Sequence, residues 1–304
     1  GEFFDTLRDG GVAICEFNPV SPFRRATGLL NLNHRDHRKL LVVDQHAAFI
    51  GGINVSGVYS HGSLVSRRKA ARDAQAGWRD TDVRIEGPAV RDFVTLFQDT
   101  WQRQDCENDL PPLSPRAQSK AGNKLVAVIG SVADEDSSRL YRALLGAING
   151  ATDSIHMTMG YFVPDPQSLE ALANAARRGV KVVLVLPGYS DWKLVLRAGQ
   201  AHYGPLLQAG VRIFELHDAL LHAKTIVIDG VWTTVGSANF DWRSFLHNDE
   251  LNAIVLGEEF GSRMERLFAD DLARAQEVTA EEWDKRGPGR RFMETLGRML
   301  EYWL

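Results

Sequence analysis

The amino-acid sequence predicts an α/β protein made of two similar halves that face each other about a pseudo-twofold axis. Three observations carry this expectation. First, the chain repeats itself. His37-Arg38-Lys39, four residues, Asp44, six residues and Gly51-Gly52-Ile53-Asn54 reappear as His222-Ala223-Lys224, Asp229 and Gly236-Ser237-Ala238-Asn239, and both His222 and Asn239 follow their counterparts by the same 185 residues. Second, strand-like apolar runs such as Val182-Val183-Leu184-Val185-Leu186 alternate with helical patterns such as Leu169, Leu172, Ala173 and Ala176, as in layered α/β folds. Third, 304 residues, 44% hydrophobic and 24% charged, suffice for two globular domains with their own cores.

Residues 1–106 are read as the first half. Gly11-Val12-Ala13-Ile14 precedes the first motif as Gly210-Val211-Arg212-Ile213 precedes the second. Ahead of the second copy the sequence predicts a strand at 125–129, a helix at 137–149, a strand at 155–159, a helix around 167–178 and a strand at 180–186. Only ten residues stand ahead of Gly11, so by comparison with its twin the first half is expected to lack roughly 75 residues at its N-terminus. Beyond the motifs, Asp80 and Gly87 line up with Glu250 and Gly257 at an offset of 170, which leaves 15 extra residues in the first copy. They fall within 58–77, a polar loop or short helix carrying Arg67, Arg68, Lys69 and Arg72. Residues 107–123, rich in Pro, Ser and charge, are expected to form a linker, with 124–278 the second domain and 279–304 a tail. In that tail Phe292, Leu296, Met299, Leu300 and Trp303 recur on one helical face, with Arg290, Arg291 and Arg298 nearby and Tyr302 beside Trp303. Such a stripe can pack on the second domain or another subunit. It can also lie on anionic lipid, for which the Arg67 to Arg72 segment is the second candidate.

The formal charge of −4 speaks against a protein held on nucleic acid by bulk electrostatics. No apolar run approaches the length needed to cross a bilayer, and no signal segment opens the chain. The protein is therefore expected not to span a membrane. Two cysteines, Cys15 and Cys106, build neither a disulfide framework nor a zinc site, and slightly favour a reduced cytosol.

In extended chain His37 and Lys39, like His222 and Lys224, project to one side. Bringing the copies together gathers two imidazoles, two ammonium groups and the amides of Asn54 and Asn239, behind small residues that admit a phosphate. That set suits a phosphodiester: one neutral His attacks phosphorus, the other gives its proton to the leaving alkoxide, and Lys and Asn hold the non-bridging oxygens. Lysine supplies the positive charge, so the set calls for no metal and no cofactor. A carboxylate usually holds the second nitrogen of a catalytic imidazole. Matched spacing assigns Asp80 to His37 and Glu250 to His222. Asp44 and Asp229 belong to the motif, although an Asp at a strand end is a good turn former by itself. The other histidines have no matched twin.

The doubled HxKxxxxD pattern with its following GGxN or GSxN resembles the phospholipase D superfamily. Asn33-His34-Arg35-Asp36-His37-Arg38-Lys39, Tyr161-Phe162-Val163-Pro164-Asp165, Gly236 through Asp241, Arg243-Ser244 and Asn248-Asp249-Glu250 look like bacterial cardiolipin synthases. The resemblance covers the chain from about Phe3 to about Arg274. It implies two phospholipase D-type α/β sandwich domains, the first truncated at its N-terminus. It implies a phosphohistidine intermediate with His37 as nucleophile and His222 as acid, and a phosphatidyl group moved from phosphatidylglycerol to an alcohol at the cytoplasmic side of a membrane. Water as acceptor would give a hydrolytic phospholipase D instead. A nuclease or other phosphodiesterase is disfavoured by charge and by the lack of aromatic stacking stripes beside basic residues. A non-catalytic lipid scaffold would be expected to have lost a motif His or Lys, and none is lost.

Overall fold

The computed structural model describes residues 2–18, 34–56, 76–104, 118–133 and 138–301. The Arg67 to Arg72 insertion, most of the expected linker, and Tyr302 and Trp303 lie outside the described residues. The central element is a nine-stranded sheet. Lys224–Ile228 and Trp232–Gly236 form a hairpin, flanked on one side by Ser154–Met159, Lys181–Pro187, Arg212–Leu216 and Ala275–Val278. On the other side Asn248–Leu256 pairs with Trp232–Gly236, and Leu125–Ser131 lies antiparallel to it. Helices Arg139–Gly150 and Pro166–Arg177 pack on this sheet through Leu140, Leu144, Ile148 and Leu172, all buried. The Pro166–Arg177 helix starts cleanly because Asp165 accepts the backbone N–H groups of Gln167 and Ser168 and a proline opens its first turn.

The first half repeats part of this plan. Leu40–Val43 and Ala47–Gly51 form a hairpin, and Asp82–Glu86 pairs antiparallel to its second strand. The registers obey the sequence repeat: Gly51 faces Asp82 as Gly236 faces Asn252. A helix follows each third strand, Val90–Arg103 and Glu258–Arg274, after a glycine of positive φ, Gly87 at 89° and Gly257 at 129°. In the second half Ser154–Met159 pairs with Lys224–Ile228. Among the described residues no strand takes that place beside Leu40–Val43, whose Leu41 and Val43 are exposed. Gly11 and Gly210 both end a helix with positive φ. Arg212–Leu216 then enters the main sheet, whereas residues 12–16 form no strand. Cys15 is disulfide-bonded.

The halves meet through Ala48, Ile50, Ile85 and Phe93 of the first, packed with Leu251 and Ala253 of the second. Each hairpin turns in two residues of positive φ, Asp44 and Gln45 at 52° and 55°, Asp229 and Gly230 at 52° and 65°. These are the primed turns that match strand twist. They put Asp44 and Asp229, the motif residues also read as turn formers, in the hairpin turns and away from the histidines. Each lies five residues beyond its Lys, about 16 Å along extended chain. The Asp229 carboxylate accepts the backbone N–H groups of Thr152, Asp153 and Ser154. Those bonds overcome the cost of burial and hold it below the usual carboxylate range. Asp229→Ala is expected to destabilise the protein by about 2 kcal/mol, because the three N–H groups lose an ionised acceptor. Thermal unfolding of wild type and variant checks this.

Among the described residues no helix is long and apolar enough to cross a membrane. The tail forms the helix Pro288–Leu300. The described part of the expected stripe does not pack inward. Glu294 and Gly297 face the body, and Phe292 and Met299 are 68% and 76% exposed.

Candidate active site

Two short parallel pairings build the site. Arg35–Asp36 runs beside Asn248–Asp249, and the His37 N–H donates to the Asp249 carbonyl at 3.0 Å. This places His37 beside Glu250, the next residue of the longer strand. Ala219–Leu221 runs beside Ala76–Arg79, and the His222 N–H donates to the Arg79 carbonyl at 2.9 Å. This places His222 beside Asp80. His37 Nδ1 lies 2.9 Å from Glu250 Oε1, and His222 Nδ1 lies 2.8 Å from Asp80 Oδ2.

The couples are therefore crossed. The expectation of Asp80 with His37 and Glu250 with His222 is corrected, because each histidine takes its carboxylate from the other half. Spacing along the chain shows that each copy owns one histidine and one acid. It carries no information on which pairs close when the copies pack about a twofold. With Nδ1 held by a carboxylate, Nε2 of each imidazole is left for chemistry.

The two acids are held differently. Glu250, fully buried, accepts from Ser237 Oγ at 2.5 Å and from Asn248 Nδ2 at 3.3 Å. Burial alone would raise its carboxyl, but the His37 charge and the bonds from His37 and Ser237, with Lys39, bring it down to about 2. Asp80 accepts the Thr81 N–H at 2.8 Å. It lies where a Cβ on Gly52 would come within 2.1 Å of Oδ1. Gly52 and Ser237 are twins in the repeat, so the first copy needs glycine where the second uses a hydroxyl.

Lys39 and Lys224 each donate to the carbonyl of the histidine two residues earlier. Burial lowers Lys39 to about 8, against the opposing pull of Glu250 and Asp80. Burial lowers Lys224 further, to about 7, with Asp80 opposing and the Lys39 charge adding to the depression. The two lysines thus share one electrostatic centre. Burial also lowers His222, with the Asp80 bond opposing and the Lys224 charge assisting. Its side chain is 6% exposed against 26% for His37. Asn239 is buried and its Oδ1 has no partner among the described residues, whereas Asn54 is exposed on the matching loop.

Several residues not singled out from the sequence support these groups. Arg38, between His37 and Lys39, bridges to Asp249 at 2.9 Å with both side chains buried. Arg79, just before Asp80, forks onto buried Asp271 at 2.6 and 2.7 Å. Trp78 packs on His222 with ring centroids 5.1 Å apart, and Tyr161 meets it edge-on at 6.3 Å. Asp241 caps the helix Trp242–Leu246, and burial raises it to about 6, with Glu250 adding to the rise. Arg38, Tyr161, Asp241 and Asp249 stand in segments that carry the family resemblance. Arg79 and Asp271 have no motif, and only the fold joins them.

Residues 144–272 match the family described as "Cardiolipin synthase, PLD-like domain", and the chain is similar to the phospholipase D superfamily. Among curated proteins it is similar to the cardiolipin synthase of Listeria welshimeri, with 32% identity over 98% of this chain and 60% of that protein. It is similar to cardiolipin synthase A of Serratia proteamaculans, with 32% identity over 95% and 58%. It is also similar to the cardiolipin synthase of a Geobacillus species, with 33% identity over 98% and 57%. The chain spans about 60% of the length of the curated relatives it matches. The solved phosphatidylserine synthase of Haemophilus influenzae Rd KW20 shares the fold, with TM-score 0.64, 12% identity, and 90% of this chain and 72% of that one covered.

Crossed pairing makes a spectroscopic prediction. Asp80→Asn is expected to shift the ring nitrogen resonances of His222 and leave those of His37 in place, and Glu250→Gln to do the reverse. Each is expected to slow turnover by about 10 to 100-fold. Nitrogen-15 histidine NMR checks the pairing, and an Asp80→Asn shift confined to His37 would refute it.

Proposed function

We propose that the protein is a phosphatidyltransferase that works through a phosphohistidine and makes cardiolipin from phosphatidylglycerol. The observation that carries this reading is the meeting of two carboxylate-held imidazoles and two partly discharged lysines in one buried centre. In this reading residues 1–106 and 124–278 are the two halves of one catalytic unit, joined by 107–123, with 279–304 appended. Lys39, Lys224, Asn54 and Asn239 hold the phosphoryl oxygens. The first imidazole forms the N–P bond as the P–O bond to glycerol breaks, and the second gives that alkoxide its proton. The second imidazole then takes the proton of an acceptor hydroxyl, whose oxygen displaces the histidine from phosphorus. The curated relatives are named for cardiolipin synthesis, which supports an alcohol, a second phosphatidylglycerol, over water as acceptor.

By analogy with the family His37 attacks and His222 is the acid. One observation favours the reverse: burial lowers His222, and attack needs a neutral imidazole. Quenching the reaction early and mapping the phosphorylated peptide decides the order.

His37→Ala and His222→Ala are each expected to abolish turnover, with the double variant no worse than the worse single one, because both act on one bond. Thin-layer analysis of cardiolipin, phosphatidic acid and glycerol made from phosphatidylglycerol checks this. Cardiolipin with free glycerol supports the reading, and phosphatidic acid alone replaces it with hydrolysis. The pH dependence follows from the lysines. Both lose charge as pH rises through about 7 and 8, so kcat/KM, which reports the free enzyme, is expected to fall over that range. A bound phosphodiester anion favours charged lysine, so kcat is expected to hold to higher pH. Activity is expected to survive EDTA, because lysine supplies the charge a metal would.

A further inference from the structure

The outer face of the helix Pro288–Leu300 has no use in the chemistry above. Phe292 and Met299 are 68% and 76% exposed, and Met293, Leu296 and Leu300 are 37 to 40% exposed. A helix placed there only to close the core would turn these residues inward. Instead the inner face is polar or small. Gly297 sits so close to the helix Lys193–Gln200 that a Cβ on it would lie 2.6 Å from Ala198 N, and buried Glu294 bonds Arg286 at 2.8 Å. His202 binds Glu301 at 2.8 Å just beyond. The helix is thus fixed to the body with its large apolar side chains displayed.

Charge is arranged beside that display. Arg291 and Arg298 occupy one edge of the apolar face at helical spacing. With Arg286 they line a cleft of about 460 Å³ that also holds Asp284, Glu294 and Thr295. Glu294 is already matched by Arg286 and by Arg290 at 3.4 Å. An apolar face with arginines along one edge is the pattern of a helix lying in a bilayer interface, where acyl chains take the apolar groups and anionic headgroups the cations.

A chain of contacts links the helix to the active site. Ala198, against Gly297, clusters with Val163 and Val195, and Tyr161 packs on that cluster. Tyr161 meets His222 and bonds Asp191 at 2.7 Å, next to Trp192, which is 63% exposed. One helix therefore separates the wall of the His222 site from the displayed face.

We propose that the outer face of Pro288–Leu300 is the seat of the protein on an anionic lipid bilayer, with Phe292, Leu296 and Met299 among the acyl chains and the Arg286, Arg291 and Arg298 cleft on headgroup phosphate. This deepens the reading of a lipid substrate and rests on it. The test uses the full chain and vesicles of phosphatidylcholine with or without phosphatidylglycerol. Wild type is expected to sediment with the phosphatidylglycerol vesicles only. The F292S/M299S pair is expected to weaken that binding by about tenfold or more, and the R291A/R298A pair by about 30-fold. All forms are expected to unfold at similar temperatures and turn over detergent-dispersed phosphatidylglycerol at the same rate. Equal vesicle binding by wild type and both pairs overturns the proposal. So does equal binding of wild type to the neutral vesicles. A wild-type dimer that the F292S/M299S pair converts to monomer overturns it too, by assigning the face to a second copy. Loss of vesicle binding in variants of a preparation that turns over no lipid supports the surface and overturns the substrate reading alone.

Discussion

Every feature of the site depends on two parallel strand pairings between the halves, Arg35–Asp36 with Asn248–Asp249 and Ala219–Leu221 with Ala76–Arg79. Successive side chains on a strand point to opposite faces, so a slip of one residue would turn each carboxylate away from its histidine. Pairings this short need outside support. The apolar contact of Ala48, Ile50 and Phe93 with Leu251 and Ala253 supplies part of it. The bridges Arg38 to Asp249 and Arg79 to Asp271 supply the rest, each beginning next to a histidine–carboxylate couple. Breaking a buried pair by removing one partner leaves an uncompensated charge, at a cost of about 3 to 5 kcal/mol. These bridges therefore resist slippage at the positions where slippage would disable the site.

Burial sets the electrostatic character of the centre. It depresses Lys39 and Lys224, and the crossed carboxylates only partly restore them. In the proposed reading a phosphodiester adds negative charge to that of Glu250 and Asp80, so its arrival favours full protonation of both lysines. The same burial that weakens the lysines in the empty site strengthens their attraction for an anion, because little water is left to screen it.

The repeat is not a perfect symmetry. Gly52 leaves room for Asp80, and its twin Ser237 donates to the longer Glu250. His222 is enclosed by Trp78 and Tyr161, whereas His37 is several times more exposed. One imidazole is thus lowered by burial, and the other lies more open. Such a difference lets two copies of one motif take unequal parts in one reaction.

The sequence by itself determined the repeat and the residue types that each copy brings to the site. A doubled pattern at constant offset marks His37, Lys39, His222 and Lys224, and the same alignment finds Asp80 and Glu250. Local rules suffice for the helices read at 137–149 and 167–178 and for the Asp turns, because those structures form between neighbours in the chain. Tertiary structure decided what depends on packing. It crossed the carboxylates between the halves, since a twofold brings each acid to the other copy's histidine. It put Asp44 and Asp229 in turns at the far ends of their strands from the histidines. It joined Arg79 to Asp271, which are 192 residues apart. It also turned the apolar stripe of the last helix outward, because the close approach of Gly297 to Ala198 gave the opposite face the better fit to the body.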